Sequence, residues 1–179
     1  MVTVPNLITL FRVFMVPAFI MASFYREFKL ALLVFLAAAV SDALDGFLAR
    51  RLNQVSQLGV IMDPLADKAL IDSGFLFLSY ADGKIPPWLT VIVISRDLLI
   101  LSGGWLLSAF GKLKKLRPTP LGKATAFLQF TTILITLLHL NFQLCNTICL
   151  KGLYLTTAAF TVASAVEYTV KGIGELSSE

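Results

Sequence analysis

The residues best suited to chemistry in this sequence are its aspartates, and all seven fall between positions 42 and 97. Five of them, Asp42, Asp45, Asp63, Asp67 and Asp72, crowd into two stretches that are otherwise apolar. A carboxylate inside a membrane helix costs about 2.5–3.5 kcal/mol on insertion scales, so five together call for compensation. Multivalent cations supply it. The local text reads Asp42-Ala-Leu-Asp45-Gly46-Phe-Leu-Ala49-Arg50, followed after eight residues by Gly59, Asp63 and Asp67. On a helix, Asp42, Asp45, Gly46 and Ala49 are three and four residues apart and share one face. Gly59, Asp63 and Asp67 are spaced by four and form a second face, whereas Asp72 lies about 140° further round from Asp67. Oxygen-only ligands favour hard cations such as Mg²⁺ or Mn²⁺ over zinc. Gly46, Ala49 and Gly59 leave room for a bulky ligand or a close backbone approach. Arg50 beside them can grip a phosphate in bidentate fashion. The set has the chemistry of a diphosphate site in which one spare carboxylate takes a proton from an attacking hydroxyl.

The elements that must position these groups are apolar and long. Of 179 residues, 57% are hydrophobic and 15% charged, with mean hydropathy +0.82; soluble chains run at about 45–50% apolar and about 25% charged. Six stretches of membrane-spanning length, about 17–25 residues, run near 5–24, 30–50, 57–80, 86–110, 120–141 and 147–170. The expected fold is therefore all-α: a polytopic integral membrane protein with six transmembrane helices, forming a single domain over 1–179. The link from Arg51 to Gln57 is short, so the spans carrying the two aspartate faces come together antiparallel near one membrane surface. The first span does not read as a cleavable signal peptide, because Asn6, Thr9, Arg12 and Pro17 interrupt it.

Loop charge sets the expected orientation. With six spans, Arg50, Arg51, Lys112, Lys114, Lys115, Arg117, Lys123 and Lys171 share a side with both termini, against Arg26, Lys29, Lys84 and Lys151 opposite. The positive-inside rule then puts the termini and the aspartates' end in the cytoplasm or its equivalent. A net charge of +4 scattered among apolar runs argues against a nucleic-acid footprint and for anionic phospholipid surfaces. Cys145 and Cys149 read as two buried small hydrophobes, and His139 as an interfacial side chain.

With these residues in hand, the sequence resembles the CDP-alcohol phosphotransferase family. Asp42, Asp45, Gly46, Ala49, Arg50, Gly59, Asp63 and Asp67 match every fixed position of its signature, D-x2-D-G-x2-A-R-x8-G-x3-D-x3-D. The resemblance covers nearly the whole chain and implies six transmembrane helices and a homodimer. It further implies that Asp42, Asp45 and Asp63 hold a two-metal centre, with Asp67 completing it and serving as general base. Gly46, Ala49 and Arg50, together with Asp42, would line the CDP pocket, and CDP-diacylglycerol would be the donor. Asn6, Thr9, Arg12 and Pro17 resemble the family's opening segment. Arg96-Asp97 and Gly122-Lys123-Ala-Thr125 resemble acceptor-side elements, which makes Arg12, Arg96 and Lys123 candidates for binding the acceptor. A local Arg96–Asp97 pair is the competing reading.

Text such as Asn6-Leu-Ile-Thr9-Leu-Phe-Arg12 and Asp63-Pro-Leu-Ala-Asp-Lys68 looks like the phosphatidylglycerophosphate and cardiolipin synthase branch. Tyr80-Ala-Asp82 through Ile94-Ser-Arg96-Asp97 looks more like eukaryotic-type cardiolipin synthases. Glycerophosphate enzymes of the family carry a second arginine eight positions after the first, where this chain has Gly104. A phosphomonoester bears nearly two negative charges and recruits several cations, whereas phosphatidylglycerol brings one. The expected reaction is therefore transfer of a phosphatidyl group to phosphatidylglycerol, giving cardiolipin and CMP, with glycerol-3-phosphate as the alternative acceptor. The expected membrane is a cell inner membrane, or the mitochondrial inner membrane in a eukaryote. An ion-coupled transporter is the reading from another class; it needs a path to both faces, whereas these aspartates cluster at one end beside Arg50.

Overall fold

The computed structural model describes residues 4–52, 57–80, 83–109, 119–144 and 146–177, and all of its regular structure is helical. Six helices follow in order: α1 (Val4–Phe24), α2 (Phe28–Leu52), α3 (Gln57–Tyr80), α4 (Pro87–Ala109), α5 (Pro120–Phe142) and α6 (Thr147–Ser177). They coincide with the six expected apolar stretches to within a few residues, except that α6 runs on to Ser177. Among the described residues, three helices are long and apolar enough to cross a membrane, at Pro87–Leu106, Pro120–Phe142 and Thr147–Gly174. Phe14–Phe24 and Phe28–Ser41 are shorter apolar segments within α1 and α2.

Local chemistry sets where the helices stop. Between α1 and α2, Glu27 N–H donates to the Ala22 carbonyl at 2.9 Å and Arg26 N–H to Ser23 at 3.1 Å. This is the Schellman pattern, with Arg26 in the left-handed region at φ 59° where glycine is usual. At the end of α5, Gln143 (φ 53°) closes a single bond from its N–H to the His139 carbonyl at 2.8 Å. The start of α5 is capped by Thr119, whose Oγ1 accepts the Gly122 N–H at 3.0 Å, and Pro120 fills the first helical position, where no N–H is missed.

The helices pack as two compact units, the first made of α1, α2, α3 and the second half of α5. Among its described residues Phe19 meets Phe35 at 5.9 Å between ring centres, and Leu70, Phe75, Leu78 and Leu137 are buried with Ser23, Ser73 and Thr136. Gly74 of α3 lies so close to Ile133 that an added Cβ would sit 2.7 Å from its Cδ1. Asn141 Nδ2 donates to the Phe28 carbonyl at 3.0 Å, tying the end of α5 to the first turn of α2.

The second unit comprises α4, the first half of α5 and α6, and buries Ile85, Leu89, Val93 and Tyr154. Buried hydroxyl and amide groups line α5 and α6: Thr125, Gln129 and Thr132 on one, Thr157, Thr161 and Ser164 on the other. The two rows meet, with Thr132 Oγ1 and Thr157 Oγ1 2.8 Å apart and Gln129 Nε2 donating to Thr161 Oγ1 at 3.4 Å. Where lipid replaces water, packing and such hydrogen bonds associate helices, because apolar burial gives no advantage over the hydrocarbon.

One minor reading is corrected. Cys149 is a free, exposed thiol rather than a buried small hydrophobe; it stands in the first turn of α6, beside the exposed Ile148. In a membrane helix an apolar side chain need not face protein, so hydrophobicity does not predict burial. Cys145 lies outside the described residues.

Candidate active site

The two aspartate clusters sit on consecutive helices, as their spacing requires. Asp42, Asp45, Gly46, Ala49 and Arg50 belong to α2, which is continuous through them, and Gly59, Asp63 and Asp67 open α3. The side chains of these eight residues, and that of Arg12 on α1, lie outside the described residues, so their convergence is addressed below as a proposal. Among the described residues no group of three His, Cys, Asp or Glu side chains gathers. The donor set itself, four carboxylates with no sulfur or imidazole, suits Mg²⁺ or Mn²⁺.

The acceptor-side candidates are better defined. Arg96 is buried in α4, 7% exposed, and Asp97 beside it is 3% exposed. Arg96 Nη1 donates to Asp97 Oδ1 at 2.6 Å, so the local pair foreseen as the competing reading does form. Neighbouring residues on a helix ordinarily point apart; here the long arginine side chain reaches back to its neighbour. Nη2 donates to Ser164 Oγ of α6 at 2.9 Å. The guanidinium carbon lies 5.9 Å from the centre of the Tyr168 ring, within range of a cation–π contact. Nε of Arg96 is buried and has no hydrogen-bond partner among the described residues.

Tyr168 links this cluster to the start of α5. Its hydroxyl receives the Thr119 N–H at 3.4 Å, and a Cβ on Gly122 would come within 2.9 Å of that oxygen. The glycine of Gly122-Lys123-Ala-Thr125 thus makes room for the tyrosine. Lys123, one residue on, is exposed, and the structure does not bring it to Arg96 by any hydrogen bond or ion pair among the described residues.

Beyond Tyr168, α4 and α6 enclose an apolar groove of about 420 Å³, bordered by Gly103, Gly104 and Trp105 on one side and by Tyr168, Gly172 and Ile173 on the other. Among the described residues no charged side chain lines it. Sequence reasoning singled out Gly104 for the side chain it lacks, and missed Ser164 and Tyr168. The available signal was their spacing: Thr157, Thr161, Ser164 and Tyr168 recur every three or four residues along one face of α6.

Comparison with known proteins decides what these elements belong to. The profile of the CDP-alcohol phosphatidyltransferase family matches residues 2–167, taking in both aspartate clusters, the Arg96 pair and the start of α5. The chain belongs to this family. Members of the CDP-alcohol phosphatidyltransferase family generally work with a divalent metal, in keeping with the oxygen-only donor set. The chain is 35% identical over 182 residues to "Cardiolipin synthase (CMP-forming)" of Rattus norvegicus, and 34% to that of Homo sapiens. In both cases 93% of this chain is covered, and it spans 60% of the relative's length. A third phosphatidyltransferase relative, "CDP-diacylglycerol--glycerol-3-phosphate 3-phosphatidyltransferase" of Aquifex aeolicus (strain VF5), is 30% identical, with 98% of this chain and 99% of that protein covered.

Proposed function

We propose that this chain is an integral membrane enzyme of phospholipid biosynthesis, moving a phosphatidyl group from CDP-diacylglycerol to phosphatidylglycerol and forming cardiolipin and CMP. The complete match to the aspartate signature, set on two consecutive helices, carries the reaction class. On this reading all six helices span the membrane, residues 1–179 form one domain and two copies form a homodimer. The aspartates then lie on the cytoplasmic side, or its equivalent, of a cell or mitochondrial inner membrane.

Asp42, Asp45, Asp63 and Asp67 would hold two divalent ions. When bound, such ions neutralise the diphosphate and stabilise the departing phosphate. Asp42, Gly46, Ala49 and Arg50 receive the CDP end of the donor, with the guanidinium on a phosphate. Asp67 takes the proton of the acceptor hydroxyl as its oxygen attacks the phosphorus that bears the diacylglycerol. The bond from that phosphorus to the bridging oxygen breaks, and CMP leaves. Arg12, Arg96 and Lys123 are the acceptor-side cations.

The choice of phosphatidylglycerol is supported by the surroundings of Gly104. It borders an uncharged groove, and Arg96 already shares its charge with Asp97, so a dianionic phosphomonoester finds little to hold it there. Glycerol-3-phosphate is kept as a second reading because the Aquifex relative, matched end to end, carries that acceptor in its name. Purified protein incubated with CDP-diacylglycerol, Mg²⁺ and each alcohol in turn, followed by CMP release and lipid mass analysis, separates the two. Cardiolipin is the expected product. Phosphatidylglycerophosphate without cardiolipin overturns the acceptor, and absence of CMP with every alcohol overturns the reaction.

A further inference from the structure

The groove between α4 and α6 is lined mainly by apolar side chains, and one of its residues, Tyr168, also carries the Arg96 guanidinium 5.9 Å from its ring centre. Both walls belong to helices long and apolar enough to cross a membrane. A Cβ placed on Gly103, Gly104 or Gly172 would meet nothing within 4 Å, so the glycines keep this volume open rather than serving a tight helix contact. Trp105, 75% exposed, stands at the rim. Tyr168 belongs both to the groove and to the Arg96 cluster, where a buried Nε–H has no partner among the described residues. A phospholipid has the matching order of parts: an apolar chain, then a phosphodiester whose oxygens accept hydrogen bonds.

We propose that this groove takes an acyl chain of the acceptor lipid, an anionic glycerophospholipid with a free headgroup hydroxyl, and that Arg96 Nε–H is the donor left for its phosphodiester. The inference rests on the phosphatidylglycerol reading above. The donor lipid is the poorer occupant. Its diphosphate needs metal-binding carboxylates, and among the described residues the groove offers a metal-bound diphosphate no carboxylate or cation. Gly104 then selects the acceptor by what it omits: the open space admits a chain, and no side chain there bids for a second phosphate charge.

Two measurements on the full chain test this. In mixed micelles, Gly104→Leu and Gly172→Leu fill the groove and should raise the apparent KM for phosphatidylglycerol about tenfold or more. The KM for CDP-diacylglycerol should stay within about twofold. A rise confined to CDP-diacylglycerol assigns the groove to the donor, and a change in oligomeric size with both constants unmoved assigns it to a second copy; either overturns the proposal. The second measurement needs no variant. Phosphatidylglycerol carrying a photoactivatable group near the end of one acyl chain is cross-linked to wild-type protein, and the adducts are mapped. Adducts are expected within residues 99–106 and 168–173. Adducts found elsewhere only, or unchanged kinetics in both leucine variants, overturn the groove while leaving cardiolipin synthesis standing. A wild type that makes only phosphatidylglycerophosphate sinks the underlying acceptor reading instead.

Discussion

Replacing Asp67 with asparagine removes a proton acceptor while leaving the size of the side chain almost unchanged. If Asp67 is the base, Asp67→Asn lowers turnover by about 10²–10⁴ and largely spares binding of the CDP-lipid, which has other ligands. CMP release and equilibrium binding of the donor, measured on the same sample, check the split. A smaller change probes the start of α5. Thr119→Ala takes away the Oγ1 that accepts the Gly122 N–H and should cost about 1 kcal/mol, read as a shift in the unfolding midpoint in detergent. The Thr119 backbone N–H, which reaches the Tyr168 hydroxyl, survives this change, so the loss should be that of the cap alone. The aspartates proposed for catalysis stand out in the sequence because carboxylates in apolar surroundings are expensive and therefore conspicuous. Ser164 and Tyr168 do not, since a serine or tyrosine in an apolar run is cheap, and only its partner shows that it is used.

Helices α5 and α6 are joined in part by paired hydroxyls. Thr132→Val and Thr157→Val each remove one half of the 2.8 Å contact, and a double-mutant cycle should show a coupling of about 0.6 kcal/mol, with about 1.7 as an upper bound. A coupling of zero would mean that the two hydroxyls merely tolerate each other. At this scale the sequence was informative about existence and extent. Long apolar runs broken by charge and proline had to be helices, and Pro87 and Pro120 mark two of the starts. The end of α6 escaped. The apolar run fades near residue 170, but hydrogen bonding along a helix does not depend on hydropathy, and Lys171 pairs with Glu167 at 2.6 Å one turn earlier. At about 1.5 Å per residue, the 31 residues of α6 outrun a hydrocarbon core of about 30 Å, so part of it stands clear of the acyl chains. The rows of hydroxyls on α5 and α6 were also hidden, because threonines count as weakly polar wherever they fall and the rows appear only once the helices are paired.

For the molecule as a whole, the six-span arrangement makes a directional claim. If all six helices span as proposed, the connection between α5 and α6 falls on the face opposite both termini; Cys149 is exposed just beyond it. With that orientation a membrane-impermeant maleimide should label Cys149 in right-side-out vesicles and leave inverted ones unlabelled. The reverse pattern would turn the protein over and move the aspartates to the other face. The Arg96–Asp97 pair has a consequence that precedes any of this, during synthesis. A buried salt bridge between distant helices can form only after both have entered the bilayer, so each must first cross as a naked charge. Here the partners are consecutive residues of α4, and the charge is cancelled within the segment that the insertion machinery handles. The helix can thus partition into lipid before its neighbours arrive, free of the about 2.5–3.5 kcal/mol that a lone arginine costs at mid-membrane. Asp97→Asn in an α4 segment carrying flanking glycosylation reporters should therefore reduce the inserted fraction, although it deletes a charge. If the two residues were independent, deleting that charge would raise it.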